Sequence, residues 1–312
     1  MKYVGLQTQI WKNNSRSVLL LLMFPVVFFV LAWLFVFFIT EPEFRTPDVV
    51  TGQFIRLAPW ITIGVLIWFV IAWISHSSMI NAATGSRPLE RKENKRVYNL
   101  VENLAMSAGM KMPKVNVIED DSLNAFASGL NNNSYTISLS RGIINKLDDD
   151  ELEGVIAHEL THIRNRDVRL LIISIIFVGI FAFIAQSALR SMRYGSLSRG
   201  GGKKGGGAIL IAMALAAVGY LIATLFRFAI SRKREYMADA GAATLTKKPL
   251  ALATALRKVS SDPTIEAVER KDVAQMFIEN PQLSNREKGF SFSTLFATHP
   301  PIETRIRVLE SL

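Results

Sequence analysis

Four long apolar runs dominate the pattern of hydrophobic and polar positions along the chain. Two come early, at about 17–39 and 57–74, and two come later, at 170–189 and about 208–230. A helix needs roughly 20 apolar residues to cross the hydrocarbon core of a bilayer. The first run is too long for the core of a signal peptide, and no small-residue cleavage site follows it. The pattern therefore predicts a multi-pass membrane protein with a retained anchor.

Shorter patterns between the runs predict a small sheet and several helices. Segment 114–118 alternates like a strand, and segment 134–139, which follows an asparagine turn signal at 131–133, is rich in β-forming residues, so a small antiparallel sheet is expected. Helices are expected at about 89–108, at 249–259 and 265–277, and after Pro300 and Pro301. The buried side of the first of these is predicted to be Val97, Leu100, Val101 and Leu104. The fold class predicted is α+β, mostly α.

One amphipathic helix, just before the third run, carries the pattern H-E-x-x-H. Acidic residues at 148–151 precede it and Arg164 and Arg166 close it, which suits the helix dipole. Its apolar stripe lies roughly opposite the two histidines, at about 100° per residue, and consists of Leu152, Ile156, Leu160 and Ile163. The helix therefore has one side that packs and one that could bind a metal ion.

The two histidines, His158 and His162, are one helical turn apart and could hold one tetrahedral zinc ion. Glu159 lies beside them, where it could accept a proton from a water that the metal activates. So short a pattern also arises by chance, and a histidine is often structural. The amphipathic setting and a candidate third ligand favour the metal site.

That third ligand is predicted after the fourth run. Glu235 and Asp239 share one helical face, and the small residues Ala238, Gly241 and Ala242 would let that helix approach another closely. We predict Glu235 as a zinc ligand and Asp239 as the acceptor that orients a ligand histidine. On its own, such a carboxylate pair is more often a solvated face. The assignment requires both ends of the third and fourth runs to lie on one side of the membrane, as in a hairpin.

Composition and charge indicate which residue types could hold a metal ion and which segments lie in the cytoplasm. The chain has no cysteine, which excludes disulfides and thiolate ligands and leaves histidine and carboxylate to hold a zinc ion. The net charge of +10 is explained by basic flanks of membrane spans, so nucleic-acid binding is not expected. These flanks predict a cytoplasmic N-terminus and a cytoplasmic segment 75–167. If the hairpin spans the membrane, the basic, glycine-rich linker 191–207 would lie outside the cytoplasm. That placement conflicts with the positive-inside rule.

Two further features have open interpretations. An exposed edge of the small sheet could pair with an extended peptide whatever its side chains, although the strands could equally be structural. His299, immediately before Pro300, could stabilise the oxyanion of a tetrahedral intermediate. It could also be an ordinary capping or surface residue.

Taken together, the motifs resemble those of the HtpX-type membrane metallopeptidases, which are related to the CAAX prenyl endopeptidases and more loosely to other gluzincins. The resemblance covers nearly the whole chain. The sequence departs from the family in an unusually long N-terminal lead before the first span and in the glycine- and lysine-rich linker. The matching features are two early spans, a hydrophobic hairpin, and the segments 124–129, 158–162, 235–239 and 299–305.

The resemblance implies a gluzincin-type peptidase with one zinc ion per chain, held by His158, His162 and Glu235, and Glu159 as the catalytic base. It also implies that His299 stabilises the transition state and that the substrate binds at an edge strand formed by Asn124, Ala125, Phe126 and Ala127. The expected role is quality control at the bacterial inner membrane, where the enzyme would cleave misfolded membrane proteins.

The expected domain layout is a membrane anchor with two transmembrane helices at 1–75, then a cytoplasmic peptidase domain at 76–312. A hydrophobic hairpin at about 168–230 interrupts the second domain. Two other functions stay open: a CAAX-type prenyl protein protease, for which more spans would be expected, and a non-catalytic membrane scaffold or chaperone. A zinc-dependent transporter is disfavoured because charged residues are missing from the middle of the spans.

Overall fold

The computed structural model describes residues 6–194, 204–228, 233–261 and 300–312. These residues form two compact units. The first comprises the described residues within 1–15, 76–172 and 230–312, and the second comprises those within 16–75 and 173–229. The predicted helix at 265–277, His299 and most of the glycine-rich linker lie outside the described residues.

The second unit consists of the apolar helices. These are α1 (Leu6–Ile39), α2 (Pro47–Thr84), α6 (Asp167–Tyr194) and α7 (Lys204–Phe228), of which α1, α2 and α6 also have residues in the first unit. Three contain stretches long and apolar enough to cross a membrane, namely Trp11–Ile39, Pro47–Thr84 and Asp167–Arg190. In α7 the apolar stretch Gly207–Ala223 is shorter than these three.

Aromatic rings pack the inside of this unit, and apolar side chains cover its outside. The rings of Phe24 and Phe177 stack with their centroids 4.2 Å apart. Gly219 on α7 gives room to Phe181, because a Cβ there would lie 2.3 Å from that ring. Large apolar side chains remain exposed, such as Trp60 at 73% and Ile74 at 74%. Such a surface is stable against lipid, so this chain is a membrane protein, as its sequence predicts.

The first unit is built around the helix that carries the motif, α5 (Asp149–Arg164). Its other elements are β1 (Ser86–Pro88), α3 (Lys95–Ser107), β2 (Lys114–Ile118), β3 (Ala125–Ser128), β4 (Thr136–Ser140), α4 (Arg141–Lys146), α8 (Lys233–Thr246), α9 (Pro249–Val259) and α10 (Ile302–Glu310). Helices α3, α8 and α9 and strand β3 all pack on α5. Helix α5 is therefore the centre of this unit.

Helix α5 begins at a capping box. The side chain of Asp148 accepts from the amide of Glu151, and the side chain of Glu151 accepts from the amide of Asp148. Such reciprocal bonds satisfy two backbone donors that a helix start otherwise leaves without partners. The predicted apolar stripe of α5 is buried, but so is the opposite side, including His158 and Glu159. The expected binding side is thus an interior surface, covered by α8 and β3.

The sheet differs from the prediction. Its strand order is β1-β2-β4-β3, and it is mixed, because β2 and β4 run parallel while the other two pairs are antiparallel. The predicted small antiparallel sheet was therefore wrong in direction for the two strands it was based on. The strand β3 lies between β2 and β4 in the chain but outside them in space. It reverses the chain once, so β4 returns parallel to β2.

Smaller differences concern element boundaries. Helix α3 starts at Lys95, later than predicted, because the side chain of Asn94 accepts from the amide of Val97 and caps it. Leu100 is only partly buried, whereas Val97, Val101 and Leu104 form the buried side as expected. A tight turn follows β3, where Gly129 has a positive φ of 119° and a Cβ would lie 2.5 Å from the carbonyl oxygen of Ser134. Only glycine fits this turn without strain.

Candidate metal centre

Two helices bring the predicted ligand residues together. His158 and His162 lie on α5, one turn apart, and Glu235 lies in the first turn of α8. One ligand atom from each lies within 4.8 Å of the other two. All three residues belong to the first unit, and His158 and Glu235 are buried. The structure thus places the three predicted ligands around one point.

Close helix packing makes this meeting possible. A Cβ added to Gly241 on α8 would lie 2.5 Å from Cγ2 of Thr161, which stands directly before His162 on α5. Ala238 and Ala242, on the same side of α8, are completely buried. Small residues therefore let the backbone of α8 approach α5, as their spacing predicts, and the approach carries Glu235 towards the histidines.

The ligand atoms have the spacing that a small tetrahedral ion requires. The Nε2 atoms of His158 and His162 are 3.1 Å apart, and each lies 3.6–3.7 Å from a carboxylate oxygen of Glu235. Ligands bound tetrahedrally at about 2.0–2.1 Å are about 3.3–3.4 Å from one another. The donor set of two imidazoles and one carboxylate, at these separations, fits a zinc ion.

Both histidines are held from behind by a carboxylate. Nδ1 of His158 lies 3.0 Å from Oδ1 of Asp239, and Nδ1 of His162 lies 3.0 Å from Oδ2 of Asp167. A carboxylate accepts a hydrogen bond from Nδ1, so the proton stays there and the Nε2 lone pair is directed to the metal. The role predicted for Asp239 agrees with this geometry. Asp167 was not predicted, although its position five residues after His162 is visible in the sequence.

A buried arginine completes the set around His158. Arg305, on α10, has no exposed surface and donates two hydrogen bonds to Asp239, from Nη2 to Oδ1 at 2.7 Å and from Nε to Oδ2 at 2.9 Å. Its Nη1 also lies 3.8 Å from Oε2 of Glu235. The sequence offered this residue only as part of the segment 299–305. Its role follows from the packing of α10.

The electrostatics of the cluster favour a bound cation. Burial by itself lowers the pKa of His162, but the charge of Glu235 and the hydrogen bond with Asp167 raise that pKa to about 10. Burial also acts to lower the pKa of His158, and hydrogen bonds with Asp239 and Glu235 outweigh it, so this pKa too is raised. Carboxylates that hold protons on two imidazoles this strongly would also attract a metal cation.

Two of the carboxylates have pKa values shifted in opposite directions. Burial acts to raise the pKa of Asp239, but the charge and hydrogen bonds of Arg305 lower it to about 2, so Asp239 is an anion. Burial raises the pKa of Glu159, whose side chain is 2% exposed and receives a hydrogen bond from the backbone of Ala127. A glutamate whose proton affinity is raised in this way is suited to accept and return a proton.

The predicted substrate strand lies beside this glutamate. Ala125, Phe126 and Ala127 belong to β3, which is an edge strand by its place in the sheet, and Asn124 precedes it. Their side chains are buried. The backbone of Ala127 forms a hydrogen bond with the carboxylate of Glu159, so this strand contacts the candidate site directly. His299 lies outside the described residues.

Comparison with known proteins gives a consistent result. Residues 91–312 match the model of peptidase family M48. A Protease HtpX homolog of Bacteroides fragilis (strain YCH46) is 62% identical over 320 aligned residues, covering 99% of both chains. A Protease HtpX homolog of Lactobacillus helveticus (strain DPC 4571) is 34% identical and covers 98% of this chain and 100% of its own.

Among solved structures, the chain is similar to the crystal structure of S. mikatae Ste24p. The TM-score is 0.47 with 20% sequence identity, and the match covers 96% of this chain and 66% of that chain.

Proposed function

The chain belongs to peptidase family M48, and from this premise we propose that it cleaves peptide bonds with one zinc ion held by His158, His162 and Glu235. It is a membrane metalloprotease, and neither a prenyl-protein protease nor a non-catalytic scaffold is favoured over that function. The observation that carries the zinc assignment is the convergence of the two Nε2 atoms and a carboxylate, with both Nδ1 atoms bonded to carboxylates.

The residues have distinct roles in the proposed mechanism. A zinc ion in this site supplies Lewis-acid polarisation of the scissile carbonyl and of water. Glu159, next to the ligands on α5, takes a proton from the attacking water and returns it to the leaving amine. Asp239 and Asp167 keep the ligand imidazoles oriented, and Arg305 keeps Asp239 charged. His299 is proposed, from the family resemblance, to stabilise the developing oxyanion.

Substrates are proposed to bind along β3. An extended peptide beside an edge strand pairs through its backbone, which tolerates many side-chain sequences. The strand is next to Glu159, since the backbone of Ala127 bonds to that carboxylate. The protease substrates would be misfolded membrane proteins, because tolerance of sequence and location in the bilayer suit that class. No role for nucleic acid is proposed.

The proposed location is the bacterial inner membrane, with the active site on the cytoplasmic side. Basic residues concentrate before the first span and between the second and third spans, whereas acidic residues lie in the short loop between α1 and α2. Positively charged flanks are retained in the cytoplasm during insertion. The segment that carries His158 and His162 would therefore be cytoplasmic.

The function is tested with Glu159→Gln in purified protein. We expect the variant to retain about one zinc ion per chain and to lose casein cleavage by at least 100-fold, because the base is lost and the ligands are kept. The matched control is Glu153→Gln on the same helix, whose side chain pairs with Lys248 on the surface. It should keep both properties. Cleavage by Glu159→Gln at the wild-type rate would overturn the assignment.

The third ligand is tested with Glu235→Ala. Loss of zinc and of cleavage together would support Glu235 as a ligand, whereas full zinc content and activity would remove it from the site. A wild-type protein that binds no zinc and cleaves nothing would contradict the proposed mechanism as a whole.

A further inference from the structure

An asparagine far away in sequence is bonded to the carboxylate behind His162. Asn13, near the N-terminal end of α1, is completely buried and belongs to the first unit, like the metal cluster. Its Nδ2 donates to Oδ1 of Asp167 at 2.7 Å and to the carbonyl oxygen of Asn165 at 2.9 Å. Both amide hydrogens are therefore used on the short turn between α5 and α6.

The two oxygens of Asp167 bond in two directions. Oδ1 accepts from Asn13, and Oδ2 accepts from Nδ1 of His162 at 3.0 Å. Asp167 is only 2% exposed, so water has little access to it. A carboxylate that is held by one donor can still rotate about its Cβ–Cγ bond, whereas a second donor on the other oxygen fixes its plane. Asn13 thereby fixes the direction from which Asp167 meets the imidazole.

The turn itself also requires support. Arg166, between the two helices, has a positive φ of 60°, a conformation that residues other than glycine rarely adopt. Asn165 and Asp167 flank it, and Asn13 bonds to both. The neighbouring Asn14 accepts from Nη1 of Arg166 at 3.1 Å. One stretch of α1 thus holds all three residues of the turn that follows the ligand helix.

We propose that Asn13 is a positioning residue for the metal ligand His162 and acts through Asp167. The inference rests on the proposed metal site, and it makes the segment before the first apolar run a part of that site. Replacing a hydrogen-bond partner of a metal ligand typically lowers metal affinity by about 10–100-fold. Asn13 reaches His162 only through Asp167, so we expect a loss of metal affinity at the lower end of that range. A competing explanation is that Asn13 only stabilises the turn.

The experiment compares Asn13→Leu and Asn13→Ala in the full-length protein, with zinc affinity measured by competition against a chelator. Both variants lack the amide donor, but leucine keeps the number and branching of the heavy atoms of asparagine and alanine does not. A positioning role predicts about a ten-fold affinity loss in both, whatever their unfolding temperatures. A structural role alone predicts a loss that follows the unfolding temperature. The visible absorption of cobalt-substituted protein should change equally in both variants.

A double-mutant comparison tests the route through Asp167. If Asn13 acts through that carboxylate, Asn13→Leu should cause no further affinity loss when Asp167→Ala is already present. The matched control is Asn14→Ala, which removes the neighbouring bond to Arg166 but leaves Asp167 untouched, and its affinity should stay within about two-fold of the wild type.

Three results would overturn the inference. The first is wild-type affinity in either Asn13 variant. The second is an equal loss with and without Asp167, and the third is a loss that tracks the unfolding temperature. A wild-type protein without zinc would instead overturn the proposed metal site, so the two failures are distinguishable.

Discussion

At the scale of single residues, Arg305 shows how much of the site depends on charge that is buried and paired. Asp239 keeps its negative charge in a nearly dry interior because both of its oxygens accept hydrogen bonds from this guanidinium. Removing one partner of such a pair leaves an uncompensated buried charge, which typically costs about 3–5 kcal/mol.

We therefore predict that Arg305→Ala lowers the free energy of unfolding by about 3 kcal/mol or more. Arg305→Lys should recover only part of this loss, because lysine cannot form the two parallel bonds. The measurement is the unfolding midpoint in detergent. Arg307→Ala on the same helix is the control, since Arg307 is exposed and should change stability by less than about 0.5 kcal/mol. Equal effects of the two alanine variants would contradict the prediction.

The residues that the sequence predicted are those that follow a local pattern. His158 with His162, and Glu235 with Asp239, share helical faces at a spacing of four, so each pair can be recognised within its own helix. Asn13 and Arg305 have no such local pattern. Asn13 lies 154 residues before its partner Asp167 and Arg305 lies 66 residues after its partner Asp239, so only packing brings them to the cluster.

At the scale of secondary-structure elements, the crossing of α5 and α8 decides whether the three proposed ligands can meet. The contact point is Gly241, whose missing side chain leaves space for Thr161. Gly241→Ala should favour the helix by about 1 kcal/mol in propensity. We nevertheless predict that it reduces zinc affinity, because the new Cβ would lie 2.5 Å from Cγ2 of Thr161 and must push the helices apart.

Chelator competition on the Gly241→Ala variant measures this effect. Adding Thr161→Ser removes the nearest methyl group and should restore part of the affinity, whereas Thr161→Ser alone should change it little. An unchanged affinity in Gly241→Ala would show that the ligands do not depend on this close approach.

The same scale explains why the sheet was predicted with the wrong direction. Residue patterns indicate that 114–118 and 134–139 are strands, but they do not indicate which way a strand runs. Direction depends on how many strands reverse the chain between them. The strand β3 is short and made of alanine, phenylalanine and serine, so it lacks the clear alternation that identifies a half-buried strand. Only the family resemblance implied a strand there, and the residue pattern of the other two strands alone suggested an antiparallel pair.

At the scale of the whole molecule, metal binding should stabilise the first unit because the ligands come from two helices that are far apart in sequence. A ligand that binds only the folded state raises stability in proportion to the logarithm of its concentration above the dissociation constant. We predict that a strong chelator lowers the unfolding midpoint and that excess zinc restores it. In His158→Ala the midpoint should respond to neither. A midpoint insensitive to chelator in the wild type would contradict a structural contribution of the metal.

The topology of the membrane segments gives the last prediction. Because the chain has no cysteine, each introduced cysteine is its only thiol and can be labelled unambiguously in intact cells. We expect a membrane-impermeant maleimide to label Glu43→Cys, in the exposed loop between α1 and α2, without permeabilisation. Lys111→Cys, in an exposed loop of the unit that carries the metal cluster, should be labelled only after permeabilisation.

The third position, Ser198→Cys in the glycine-rich linker, decides between two forms of the later hairpin. His158 and Glu235 meet at one site, so both ends of the hairpin must lie on one side, whether or not it crosses. We expect labelling of Ser198→Cys from outside, because a spanning hairpin satisfies that constraint with two apolar helices. If Ser198→Cys is not labelled from outside, the hairpin does not cross the membrane. The linker's basic residues would then stay in the cytoplasm, as the positive-inside rule requires. Labelling of Lys111→Cys from outside would instead place the active site on the other face of the membrane.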